Sequence, residues 1–172
     1  PQTSLWIYDM AGKRLVEVPR SKGAEVATNS ELSWTSDGAR LRVALRAPED
    51  DAAAQAAFKT LVSGPVVVQS SKPFLDWDAM SRANRRRELA EIDPVNGSKV
   101  SLVAPAAITS YQFSRDDRSV TWLEDHTERT NYDVIFGTDN AVRTMTRGSA
   151  PRTVVDARVL KTATPRWSDD QR

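Results

Sequence analysis

The 172-residue chain contains no cysteine, which excludes disulfides, thiolate zinc sites and a cysteine nucleophile. Histidine is nearly as scarce: His126 is the single one, and that removes most metal sites and most nucleophile–base arrangements at once. Charge of one sign is also missing, since 24 Lys+Arg stand against 23 Asp+Glu for a net +1. A dedicated nucleic-acid binder needs a concentrated basic face, so this balance argues against one. No apolar run approaches the ~20 residues of a membrane span, which argues against a membrane partner. None of the seven glycines belongs to a Gly-x-Ser-x-Gly nucleophile elbow. Together these shortages argue against catalysis within these residues, and they predict neither metal nor cofactor.

What is present is a repeat. Three segments align: Leu32-Ser33-Trp34-Thr35-Ser36-Asp37-Gly38, Tyr111-Gln112-Phe113-Ser114-Arg115-Asp116-Asp117 and Pro165-Arg166-Trp167-Ser168-Asp169-Asp170-Gln171. In each, an aromatic closes a short strand, and Ser or Thr, a variable residue, Asp and a turn residue follow. An alternating segment comes after the first, Arg40-Leu41-Arg42-Val43-Ala44-Leu45-Arg46, whose period of two predicts a half-buried strand with Arg42 and Arg46 outward. Ser119-Val120-Thr121-Trp122-Leu123-Glu124 follows the second. Three hairpins are predicted as well. One joins Ser4–Asp9 to Arg14–Val18 through Ala11-Gly12, and one joins Glu88–Asp93 to Lys99–Val103 through Asn96-Gly97. The third joins Tyr132–Phe136 to Val142–Met145.

The implied unit is four short antiparallel strands, and it divides the chain. Residues 1–20 would hold the last hairpin of one unit, 31–103 a whole unit, 104–147 another, and 148–172 a linker with the first strand of the next. The 31–103 unit is long because residues 47–87 interrupt it. Within that insertion, Pro48-Glu49-Asp50-Asp51 before an alanine-rich run, with Ser63-Gly64-Pro65 behind it, predicts a helix over about Glu49–Val62. Phe58, Leu61 and Val62 would be its covered face. Val66-Val67-Val68 reads as a short strand, and Phe74–Arg87 as a basic-ended stretch with partial helix.

Repeated four-stranded units of about 40–50 residues are the blades of β-propellers. The expected fold is therefore all-β: a partial propeller of two full antiparallel blades plus parts of two others, with a short helical insertion. The Trp-Thr-Ser-Asp-Gly type of motif resembles the propeller repeats of the prolyl oligopeptidase family of serine peptidases, and equally the periplasmic propeller of the Tol system. The insertion, from Gly64-Pro65-Val66-Val67-Val68 through Pro73-Phe74-Leu75-Asp76-Trp77-Asp78 to Arg85-Arg86-Arg87-Glu88-Leu89, looks like bacterial members of the peptidase family. The resemblance implies a non-catalytic propeller that gates substrate access to a separate α/β-hydrolase domain. That domain and the rest of the propeller would be its partners, in the same protein or a cleaved chain, with a peptide as substrate. It favours the periplasm over the cytoplasm. The alternative is a non-enzymatic interaction platform of the Tol type, and a propeller glycosidase or lyase is a third reading. Propellers close with about 4–8 blades, so these residues are expected to be a piece of a longer protein.

Several side chains stand out. Arg82, Arg85 and Arg86, with Arg87 beside them, form the densest charge run. Guanidinium grips carboxylate bidentately, so these arginines are candidates for binding a peptide carboxylate, weighed against an ordinary basic face or ion pairing. Asp37, Asp116 and Asp169 recur like ligands, yet the turn itself asks for an Asp that accepts backbone N–H groups. Trp34, Phe113 and Trp167 read as packing between blades. Asp76, Asp78, Glu49, Asp50 and Asp51 fit no calcium-loop spacing. His126 reads as part of a polar loop after a strand.

Overall fold

The computed structural model describes residues 3–28, 30–64, 72–128, 137–159 and 165–168, with backbone alone for 72–76. Strands outnumber helices ten to two among the described residues, and every specified strand pairing is antiparallel. No described helix is long and apolar enough to cross a membrane. Two compact units emerge: Pro1–Glu49 with Arg87–Pro105, and Asp50–Arg86 with Ala106–Arg172.

In the first unit, β1 (Trp6–Asp9) and β2 (Arg14–Glu17) form the predicted hairpin, with Trp6 opposite Glu17 and Asp9 opposite Arg14. Its turn is tied by the Asp9 carboxylate, which accepts the Ala11 and Gly12 N–H groups at 3.0 Å. Next, β3 (Glu25–Val26) and β4 (Ser33–Trp34) pair with the same edge of β5 (Leu41–Arg46). Between them the Ser30 hydroxyl accepts the Ala44 N–H at 2.8 Å, standing in for a missing strand partner. The far edge of β5 pairs with β6 (Arg86–Ile92), and β6 with β7 (Lys99–Phe113), which begins in this unit and ends in the other.

Val18, Leu41, Val43, Leu45, Ala90 and Ile92 make the core, with Leu5, Ile7, Ala24 and Val26 packed around it. This is the apolar face that the alternation predicts. The opposite face departs from expectation: β5 is buried from Leu41 through Leu45, and Arg42 is 6 % exposed. The register explains why a guanidinium tolerates this, because Arg42 lies directly opposite Glu91, itself 2 % exposed. Opposite charges placed together lower the cost of burying either.

The β6–β7 connection is wider than a two-residue Asn-Gly turn. The Asp93 N–H donates to the Ser98 carbonyl at 2.9 Å, and the Asp93 carbonyl accepts the Gly97 N–H at 2.9 Å. Gly97 has a φ of +71°, and a Cβ there would run into the Pro19 carbonyl. Its own carbonyl accepts the Ser21 hydroxyl at 2.9 Å, which pins the loop to the segment after β2.

The second unit contains α1 (from Pro48 to Ser63), α2 (Lys72–Asn84), the end of β7, β8 (Ser119–Asp125), β9 (Asn140–Thr146) and β10 (Arg152–Val155). Helix α1 opens where predicted, with Pro in its first turn and three acids at the positive end of the dipole. Its buried residue is Ala54 and Leu61 is half-buried, while Phe58 and Val62 stay exposed, so the expected covered face forms only in part. The Phe58 ring meets the Trp77 ring of α2 edge-on, with centroids 6.2 Å apart. Helix α2 is longer than the partial helix expected, and Arg86 and Arg87 already belong to β6. The insertion therefore ends at Arg85. Val66–Val68 lie outside the described residues.

The sheet of this unit runs β7, β8, β9, β10. Val142–Met145 do form a strand, but β9 has β8 on one side and β10 on the other. Tyr132–Phe136, expected as its hairpin partner, lie outside the described residues. Residues 152–155 were expected within a linker and instead supply the fourth strand, because Gly148 at φ +81° reverses the chain directly after β9.

The first two repeat motifs fold into one turn made twice. At the first, the Thr35 N–H and hydroxyl both point to the Arg40 carbonyl, at 2.9 and 3.2 Å. The same hydroxyl accepts the Arg40 N–H at 3.0 Å and lies 2.6 Å from Asp37 Oδ1, which accepts the Ala39 N–H at 2.9 Å. At the second, the Ser114 N–H and hydroxyl point to the Ser119 carbonyl at 2.9 and 3.2 Å. Its hydroxyl accepts the Ser119 N–H at 2.9 Å and lies 2.7 Å from Asp116 Oδ1, which accepts the Arg118 N–H at 3.1 Å. Gly38 and Asp117 occupy the same place with φ of +69° and +62°. Each turn joins the first and second strands of a four-strand meander, β4–β7 or β7–β10.

Candidate functional site

The three candidate arginines sit where the insertion meets β6: Arg82 in the last turn of α2, Arg85 in the turn after it, Arg86 at the start of β6. A basic residue in the last turn suits the negative end of the helix dipole. All three belong to the second unit, and each meets a carboxylate there.

Arg85 Nη1 forms an ion pair with Asp125 Oδ2, and the Asp125 side chain has no solvent exposure. The other oxygen of that carboxylate accepts the Thr127 N–H at 2.9 Å and the Thr127 hydroxyl at 2.5 Å. Thr127 Oγ1 in turn accepts the Asp139 N–H at 2.8 Å, and the Asp139 carbonyl accepts the His126 N–H at 2.8 Å. The end of β8 and the approach to β9 are thus closed on one another, and Arg85 ties the closure to the insertion. The Arg85 carbonyl also accepts the Ile108 N–H at 3.2 Å.

Arg86 Nε lies 3.2 Å from Asp50 Oδ1, joining the start of β6 to the first turn of α1. Arg82 is engaged more loosely. Its Nη2 lies 3.9 Å from Glu128 Oε1, and its Nη1, although buried, has no acceptor among the described residues. The fourth arginine of the run, Arg87, is half-buried in β6.

His126 turns Nε2 toward Glu124 Oε1 at 3.2 Å. Glu124 Oε2 accepts the Trp122 indole N–H at 3.3 Å and lies 3.9 Å from Arg143 Nη1. The imidazole is thus placed against a carboxylate, within hydrogen-bonding distance of it.

Asp37 and Asp116 serve their turns. Hydrogen bonds from the Ser114 hydroxyl and the Arg118 N–H, with the Arg118 charge nearby, hold the Asp116 carboxyl below its ordinary value of 3.8. Asp169 lies outside the described residues. Among the described residues, no three His, Asp or Glu side chains gather as a metal site. Asp78 is buried on α2, while Glu49 and Asp51 are exposed on α1. Trp34 is 45 % exposed, and Phe113 and Trp167 are partly exposed, so none fills a core within the described chain. Trp167 instead gives its backbone and indole N–H groups to Gln112, at 3.3 and 3.4 Å.

Sequence reasoning missed Asp125, Thr127 and Asp139. The signal was the Asp-x-Thr spacing of Asp125-His126-Thr127, which suits an Asx turn and which a polar-loop reading passed over. No protein-family model and no curated protein matches the chain.

Proposed function

We propose that this chain is the non-catalytic propeller portion of a prolyl-oligopeptidase-like serine hydrolase, and that it gates the substrate path to a separate α/β-hydrolase domain. The observation that carries this reading is the turn made twice with the same hydrogen bonds, once per four-strand meander. Independent folds reach a Ser/Thr-x-Asp turn easily. Two in one chain, each between first and second strands, are what blade repetition produces. The arginine-bearing insertion leaves the first meander between β5 and β6, and long insertions on a rigid scaffold commonly carry binding.

The test is to label the intact gene product with a fluorophosphonate, which reacts with activated serines. The reading requires a labelled serine in a Gly-x-Ser-x-Gly elbow beyond Arg172, followed by Asp and His. An intact product that takes no label and has no elbow contradicts it. One observation favours a second reading, a non-enzymatic interaction platform of the Tol type: Arg85 and Arg86 are already matched by Asp125 and Asp50. Absence of the elbow together with retained propeller blades is the outcome that selects it.

A further inference from the structure

Among the insertion arginines, one differs from its neighbours in how its hydrogen-bonding capacity is used. Arg85 is locked to a fully buried carboxylate, and Arg86 meets Asp50 at 3.2 Å. Arg82 has Glu128 at 3.9 Å, near the outer limit of an ion pair, and a shielded Nη1 with no acceptor among the described residues. A guanidinium carries five N–H donors in a planar fork that matches a carboxylate. The Arg82 side chain keeps 26 % of its surface in solvent and Glu128 keeps 58 %, so a ligand can reach the pair from outside.

We propose that Arg82 is the binding residue for a ligand carboxylate, and that Glu128 is its internal placeholder, displaced when the ligand docks. This deepens the substrate-path reading above, because the ligand class is a peptide bearing a free carboxylate. Arg85 is then a positioning residue. It fixes the end of α2 against the Asp125–Thr127 closure, which immediately precedes Glu128 along the chain. The arginine keeps one carboxylate partner throughout: the ligand carboxylate arrives, and Glu128, already 58 % exposed, is released to be hydrated by water. Long, solvent-facing pairs are weak, which makes Glu128 easy to displace.

The experiment titrates the 172-residue chain with a short peptide ending in a free carboxylate, and separately with its C-terminal amide. The readouts are the arginine Nε–Hε resonances and the dissociation constant. The free-acid peptide shifts the Arg82 resonance, while the amide does not. Arg82→Gln loses the binding. Glu128→Gln, which removes the internal competitor, tightens it by about twofold to fivefold, as expected from the worth of an exposed pair. Equal response to acid and amide overturns the proposal, as does unchanged or weaker binding by Glu128→Gln. Because the assay needs only this chain, its failure is distinct from absence of a serine elbow in the intact product.

Discussion

Arg85 and Asp125 form an ion pair across 40 residues of sequence, and the carboxylate end of that pair is wholly shielded from water. Its other oxygen is used twice by Thr127, so Asp125 is held by three donors from two segments. Removing either partner has unequal consequences. Asp125→Ala removes the acceptor of the Thr127 hydroxyl and N–H and one carboxylate partner of the guanidinium, whereas Arg85→Ala leaves a buried carboxylate that still has Thr127.

Asp125→Ala is therefore expected to cost about 2–4 kcal/mol and Arg85→Ala about 1–3 kcal/mol, with the arginine discounted for its solvent exposure. Urea unfolding of the two variants checks the order. Equal losses would mean that the ion pair, and not the Thr127 bonds, dominates.

The two repeated turns predict exchangeable chemistry. Thr35→Ser and Ser114→Thr keep every hydrogen bond and should change stability by less than about 0.5 kcal/mol. Thr35→Ala and Ser114→Ala each remove a hydroxyl that both donates and accepts, at about 1–2 kcal/mol. Thermal unfolding of the four variants measures this directly.

Asp116 provides a pH signature. Its folded carboxyl is held below 3.8, chiefly by the Ser114 hydroxyl and then by the Arg118 N–H. A depressed pKa contributes stability above the unfolded value and loses it as pH falls through the folded value. In a carboxyl-carbon NMR titration Asp116 should protonate below 3.8, and Ser114→Ala should move it upward. A midpoint unmoved by that substitution would rule out the hydroxyl as the principal cause.

Much of this was legible in the sequence, and the omissions have physical causes. The Ser/Thr-x-Asp turns could be read because short polar side chains bond backbone groups within a few residues, so the whole device is local. Helix α1 was legible for the same reason, from Pro48 and the acids behind it. Burial of Arg42 was not, since it depends on Glu91 of another strand and alternation alone turns charge outward. The order of the second meander was missed because residues 152–155 read as linker, and their pairing with β9 depends on the chain reversal at Gly148. Arg85 was a visible candidate, but Asp125 lies 40 residues on and nothing local links them.

Gly97 gives the sharpest backbone test. Its positive φ and the nearby Pro19 carbonyl both oppose a side chain, so Gly97→Ala should destabilise by about 1–3 kcal/mol. Gly23 also has positive φ but open space around it, and Gly23→Ala should cost about 1 kcal/mol. Denaturant midpoints of the pair separate steric from conformational cost.

The central claim, that the two meanders are neighbouring blades of a propeller placed over a hydrolase domain, is tested most directly by electron cryomicroscopy of the intact gene product. The account predicts a closed ring in which β4–β7 and β7–β10 are adjacent blades, with the Thr35 and Ser114 turns at equivalent radial positions and an α/β domain against one face. A map with no closed ring of blades and no such domain would contradict it.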